Sequence, residues 1–292
     1  MTAPIVCAFE DAEPAVRAAG AAGWLAGELG APMLLVHVFD EGVLPALDLR
    51  SAEAIAFRDR LTALQERRAR RRAADALADV ADALAPVPVS IELFDGTPVP
   101  VLTALAADRG AMLLVSGTAA RGGMERLMQG SVSARLAAKA PCPTVTVPPD
   151  AAIGEPGPVL SVDDGSRHGR RAGRHAAMLA ARLRRELVVV SVSTQGDRGR
   201  IDADLVEDLH ARVSVASVLP PGGLRVSVAE RDGEPTAAVS QEAFGRRACL
   251  VVTATRGRGD LRTVLFGSIT LGLVRSAGRP VVLIPESAGD LA

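Results

Sequence analysis

Aromatic residues are scarce in this chain: they make up 2% of it, with one tryptophan and no tyrosine. Surfaces that grip single-stranded nucleic acid usually stack the bases on aromatic rings, so that class of function lacks its main chemical device. An excess of either charge is also missing. Lysine plus arginine number 33 and aspartate plus glutamate 34, a net charge of -1, which leaves no overall field to gather nucleic acid or an anionic membrane. The three cysteines, Cys7, Cys142 and Cys249, are far apart, odd in number and outside any CxxC spacing. That argues against a disulfide frame or a structural zinc site, and for small buried hydrophobes in a reducing compartment. No apolar run approaches the roughly 18 residues of a membrane helix. The start, MTAPIVCAFEDAEPAV, has no basic segment leading into a long apolar one. A cytoplasmic protein is expected, with neither membrane nor nucleic acid among its partners.

Familiar catalytic signatures are missing as well: no GxxxxGK[ST], no GxSxG and no HExxH. The four histidines, His37, His168, His175 and His210, form no metal-binding spacing. His168 and His175 fall on a helix expected to be exposed. His37 ends an apolar strand, where a hydrogen-bonded core histidine is the favoured reading.

What the chain does contain is a repeat. PIVCAFEDAE from Pro4 lies over PVLSVDDGSR from Pro158, and LLVHV (34–38) over VVVSV (188–192) in the same register. DGTP at Asp95 lies over DGEP at Asp232, and this second register runs from Gly130 over Gly267 to Pro148 over Pro285. The register changes once, between the second and third apolar runs, where the first half carries the longer connection. A period this long marks a duplicated domain, since solenoid repeats are far shorter. The seam falls in PPDAAIGEPGP, whose composition is that of a turn and linker. The reading is a first domain over 1–148, a linker over 149–157 and a second domain over 158–292.

Within each unit, runs rich in Val, Leu and Ile alternate with longer helical patterns. Strands are expected near 4–9, 33–38, 88–93, 111–116 and 143–147, and again near 158–162, 187–192, 224–229, 248–253 and 280–284. Their nearly continuous apolar character is that of parallel strands covered on both faces. The fold class is therefore α/β: two tandem doubly wound five-stranded parallel sheets, taken with the order 3-2-1-4-5 that the resemblance described below implies. In such a sheet the ligand crevice lies beyond the carboxyl ends of strands one and four.

Two loops follow strand four: GTAARGGMERLMQGS (117–131) and ATRGRGDLRTVLFGS (254–268). Each closes on Gly-Ser at a helix start, with Ser131 and Ser268 as the expected N-caps. Unpaired amides and the positive dipole end of a helix suit a phosphate there, and glycine lets it come close.

The pattern Gly-x2-Gly-x9-Gly-Ser after a strand resembles the nucleotide-binding motif of the universal stress protein family. PIVCAFEDAE and VLSVDDGSR resemble that family's opening strand, and APCPTVTVP and AGRPVVLIP its closing one. The resemblance covers both halves. It implies the adenine nucleotide alpha hydrolase-like fold, adenine nucleotide binding in some members, and pairing of units through the last strand.

Both copies of the motif depart from the pattern. In the first, Gly117, Gly130 and Ser131 match, while Ala120 stands at the second glycine and Glu10 at the usual aspartate. In the second, Asp164, Gly165, Gly257, Gly267 and Ser268 match, while Ala254 replaces the first glycine. A methyl at Ala120 threatens the path of a triphosphate unless its φ stays negative. Ala254 ends a strand, where a negative φ tolerates alanine, although its Cβ could crowd the ribose. Asp164 is the implied ribose partner, and Glu10 is a methylene too long. Arg121 and Arg258 follow the second-glycine position and are candidate phosphate contacts; solvated loop arginines are the competing reading. The adenine is expected near Val38 and Val192 at the end of strand two.

The second unit is thus the better-equipped site. ATP, with or without Mg²⁺, is the expected ligand, with AMP or no nucleotide as alternatives. The nucleotide is expected to act as a signal, not as the substrate of an enzyme. A nucleotide-free scaffold with relic motifs is the rival reading. A homodimer or an unidentified protein partner is left open. ERRARRR (66–72) lies in the longer connection and reads as the solvated face of an amphipathic helix.

Overall fold

The computed structural model describes residues 2–10, 13–40, 52–118, 132–193, 223–255 and 267–289. The first half runs β1 (Ile5–Ala8), α1 (Glu13–Leu29), β2 (Met33–Phe39), α2 (Ala52–Ala83), β3 (Val89–Asp95), α3 (Pro98–Asp108), β4 (Leu113–Gly117), α4 (Val132–Lys139) and β5 (Thr144–Val147). The second runs β6 (Val159–Asp163), α5 (Arg167–Arg182), β7 (Leu187–Ser193), β8 (Val226–Asp232), α6 (Pro235–Gly245), β9 (Leu250–Ala254), α7 (Ser268–Ser276) and β10 (Val281–Ile284).

All ten strands belong to one sheet of order β3-β2-β1-β4-β5-β10-β9-β6-β7-β8. Within each half the order is 3-2-1-4-5 and the pairing parallel, as the apolar runs imply. At the centre β5 and β10 pair antiparallel, with Val282 opposite Val145, so each closing strand covers the other's edge.

Helices pack both faces. On the inner face, Ala18, Ala22 and Leu25 of α1 and Ala172, Ala176 and Leu179 of α5 join Val145, Val147, Val282 and Ile284 in one core. The outer face carries α6 and α7 over the second half, and Ala134 and Ala137 of α4 share its core with Val281 and Leu283. The cores therefore cross the seam. Exposing even half of the seam side chains would cost roughly 5 kcal/mol, on the order of a whole domain's stability.

The segment expected to be a linker is bonded in place. Ala152 N donates to Gly278 O at 3.0 Å and Gly157 N to Arg247 O at 3.0 Å. The segment after β10 answers it, with Gly289 N donating to Pro141 O at 3.2 Å and Ser287 Oγ to Ala140 O at 2.6 Å. Each unit's tail thus straps the turn that precedes the other unit's closing strand.

The basic run lies on α2 as expected. Arg67, Arg68, Arg71 and Arg72 are exposed, while Ala73 and Leu77 are buried. Arg70, partly exposed, pairs with Asp95 and lies 4.7 Å over the Phe39 ring.

Candidate functional site

Each half reverses its strand order at its first strand: β1 lies between β2 and β4, and β6 between β7 and β9. The crevice beyond the carboxyl ends of those strands is where such a sheet takes a ligand. Glu10, Val38 and Gly117 fall at the first crevice; Asp164, Gly165, Val192, Ala254, Gly267 and Ser268 fall at the second. Ala120, Arg121, Gly130, Ser131, Gly257 and Arg258 lie outside the described residues.

The second crevice is built around a turn that its own side chains hold. β6 ends at Asp163, and the chain turns through Asp164, Gly165 and Ser166 into α5. Gly165 has φ +72°, a conformation that favours glycine. Its N–H donates to Asp163 Oδ1 at 3.1 Å, and the Ser166 N–H donates to Asp164 Oδ1 at 3.0 Å. Ser166 then caps α5 by accepting from Gly169 N at 3.0 Å. Asp164 is left partly exposed at the crevice.

Two residues here escaped the sequence reading. Gly169 must lack a side chain, because a Cβ would stand 2.5 Å from Asp164 Oδ1. The available signal was a glycine in the opening turn of a helix, an unfavourable place for it. Asp163 is a buried carboxylate, 7% exposed, where the repeat puts Phe9 in the first unit.

Across the crevice, Thr255 is pinned to the end of β10, its N–H and hydroxyl both donating to Ile284 O at 3.2 and 3.4 Å. Thr118 does the same to Val147 O at 3.1 and 3.4 Å. Gly267 N donates to Thr255 O at 3.2 Å, closing the base of the second loop. That bond corrects the expected N-cap: Gly267, with φ −67° and ψ 154°, is the cap, and Ser268 is already the first helical residue. Gly267, a glycine, supplies no side-chain cap to α7. Its first amides keep the partial positive charge that attracts an anion. Thr270 Oγ1 ties the same turn to Ala254 O at 2.9 Å.

At the first-glycine position the packing of the chain itself limits the side chain in both units. Ala254 is 7% exposed and packs in the inner core with Ala172 and Ile284. At Gly117 the space is filled by the chain itself: a Cβ would stand 2.4 Å from Pro14 O. This position sets how closely the helix after strand one packs on strand four.

The first crevice is more aromatic. His37 Nδ1 donates to Phe9 O at 2.8 Å, which selects the tautomer protonated at Nδ1. The His37 ring lies edge-on to Phe39 at 4.4 Å. Glu10 points its residue into solvent and is exposed. His175, expected on an exposed helix, is 2% exposed. Its face of α5 also carries Ala172 and Leu179, and the arginines around them hid that stripe in the sequence. His168 stands 3.6 Å from Glu286. All three cysteines are free and buried, and burial pushes their thiols up to about 12. Among the described residues no group of three or more His, Cys, Asp or Glu could hold a metal, and no helix is long and apolar enough to cross a membrane.

The model of the Universal stress protein family matches this chain twice, over residues 1–148 and 157–285. The chain belongs to the universal stress protein family. A universal stress protein of Mycobacterium tuberculosis is 30% identical over 213 residues, 68% of this chain and 70% of that protein. Among solved structures, a universal stress protein from Archaeoglobus fulgidus superposes with a TM-score of 0.66 at 16% identity, covering 97% of this chain and 96% of that one. A protein of unknown function from Pseudomonas aeruginosa gives a TM-score of 0.54 at 16% identity, over 98% and 93% of the two chains. At these identities the structural likenesses speak for the fold. This tandem universal stress protein joins its units through their closing strands.

Proposed function

We propose that this universal stress protein is a stress-response regulator that holds an adenine nucleotide in the crevice of its second unit. The observation that carries the reading is the pairing, at one switch point, of the partly exposed Asp164 carboxylate on a preset turn with the uncapped start of α7. A carboxylate suits the hydroxyls of a ribose, and open helix amides suit a phosphate. Ala254, the one departure from the motif in this unit, is buried in the core, which supports the reading.

ATP is the proposed ligand, and the nucleotide is read as a signal whose occupancy alters a surface, not as a substrate. The rival reading, a nucleotide-free scaffold, draws on Ala120, which stands at a glycine position in the first unit.

The test is to denature freshly purified protein and identify the released small molecules, then to titrate the stripped chain. ATP, AMP and cAMP are the ligands to compare, the last because one solved universal stress protein holds it. Adenine nucleotide near one equivalent, lost in Asp164→Ala and in Gly267→Asp, is expected. No release, together with no thermal shift at millimolar ATP and Mg²⁺, would sink the proposal in favour of the scaffold. ATP turnover equal to that of Gly267→Asp is expected, and faster turnover would make the protein an enzyme.

A further inference from the structure

The basic run on α2 has an acidic counterpart on the same helix. Arg68, Arg72, Asp75, Asp79 and Asp82 follow one another at intervals of four and three, so they form one line along α2. All are exposed, and the buried Ala73 and Leu77 lie on the opposite side, turned to the core of the first unit. Leu64, 45% exposed, extends the line by one turn at its basic end. α2 packs on β2 and on β3, the terminal strand, so the line faces outward at the end of the sheet farthest from the seam.

The order of charge is the wrong one for the helix itself. Within one helix an acid placed before a base is the better pair, and a base suits the C-terminal end. α2 has its bases first, carries Asp82 in its last turn and has no basic residue there. Nor does an ion pair join Arg68, Arg72, Asp75 or Asp79 to another described residue; Arg70, on a different side of the helix, pairs with Asp95.

What this order does complement is the same helix reversed. Turned end for end about a two-fold axis level with Ala73 and Ala74, α2 sets Arg72 against the partner's Asp75 and Arg68 against the partner's Asp79, and the symmetry makes each contact twice. Antiparallel helices also bring opposite dipole ends together. The run ERRARRR has no counterpart in the second half, so each chain carries this surface once and the pairing closes at two copies.

We propose that the outward face of α2 is a docking surface for a second copy of this chain, joined antiparallel through the contacts of Arg68 with Asp79 and of Arg72 with Asp75. Exposed ion pairs are individually weak and screened by salt, so the dimer is reversible and favoured by low ionic strength. The inference stands apart from nucleotide binding in the second crevice.

The full chain is to be followed by sedimentation equilibrium over a range of concentrations. Wild-type protein is expected to dimerise at ~50 mM salt, with a Kd at least about tenfold weaker at ~500 mM. Arg68→Asp combined with Arg72→Asp makes the line acidic throughout, and Asp75→Arg combined with Asp79→Arg makes its matched positions basic throughout. Each double variant alone should stay monomeric, and an equal mixture of the two should form a heterodimer at least as tight as the wild-type dimer. Thermal midpoints check that the variants fold; if a double variant does not, the single changes Arg72→Asp and Asp75→Arg are mixed in its place. A wild-type chain that stays monomeric at low salt, double variants that self-associate as wild type does, or a mixture that fails to associate overturns the proposal. A monomeric wild type that binds an oligonucleotide, and loses that binding on Arg68→Asp with Arg72→Asp, would assign the bases to a polyanion and overturn it as well.

Discussion

Gly117 and Pro14 meet where no side chain fits: a Cβ on Gly117 would stand 2.4 Å from the Pro14 oxygen and 2.8 Å from its carbonyl carbon. The first turn of α1 is thereby laid directly on the end of β4. Gly117→Ala should force the helix off the strand and destabilise the protein by about 1–3 kcal/mol, the usual cost of overpacking. The reverse change, Ala254→Gly, removes a buried methyl and should cost about 1 kcal/mol. Urea midpoints of the two variants check both signs, and a neutral Gly117→Ala would remove the packing role given to this glycine.

Arginine takes the place of glycine at two matched turns. Gly30 and Gly110 close α1 and α3 with φ of +60° and +56°, and at the corresponding places of the second unit Arg184 and Arg247 adopt +55° and +51°. A side chain in that conformation costs about 1 kcal/mol or more. Arg184 is exposed, so Arg184→Gly should stabilise by about 0.5–1 kcal/mol after the extra entropy of glycine in the unfolded chain is counted. Arg247→Gly should gain less, because Arg247 also pairs with Glu155 at 2.7 Å. Thermal midpoints of the two variants would show the difference.

Ser161 sits at 0% exposure in β6 with a hydroxyl that meets no partner, while Cys7 holds the matching place in β1. A buried hydroxyl left unbonded costs about 1–3 kcal/mol. Ser161→Cys, which copies the first unit, should therefore stabilise by roughly 1 kcal/mol. A fall in stability would show that the hydroxyl has a partner in solution.

The cysteines set a pH window. Burial raises all three from 9.0 to about 12, so the folded protein holds its thiols neutral where the unfolded chain would ionise them. Their stabilising effect is full below about pH 9 and is lost as pH rises toward 12. The chain has no tyrosine and a single lysine, Lys139, so little else titrates in that range. Stability measured by urea should fall across it. A thiol reagent at pH 8 should label none of the three in the native protein and all three after unfolding.

Much of this architecture was legible in the residues. The registers of Pro4 over Pro158 and Asp95 over Asp232 carried the duplication, and near-continuous apolar runs such as LVVV in β7 carried parallel strands buried on both faces. The strand order and the pairing of closing strands followed from the resemblance those motifs bear. The turn at Asp164 and Gly165 was legible too, because a left-handed glycine and a capping serine are local requirements.

Other features were not local. Gly117 stands out in the sequence as a motif glycine, but the sequence cannot show that Pro14 fills the space a Cβ would take there. Ser268 looked like a cap until the bond from Gly267 to Thr255 moved the helix start by one residue. His175 looked exposed among arginines, yet it lies on the packed face of α5. The segment 149–157 looked like a linker, and it is bonded to turns of the second unit.

Periodicity, turn chemistry and the repeat are properties of neighbouring residues, so the amino-acid sequence alone determined the strands, the helices and the two-unit plan. What side chains meet across the sheet depends on residues far apart in the chain. Only the tertiary structure decided that Ala254 belongs to the core and that the first turn of α1 occupies the space beside Gly117.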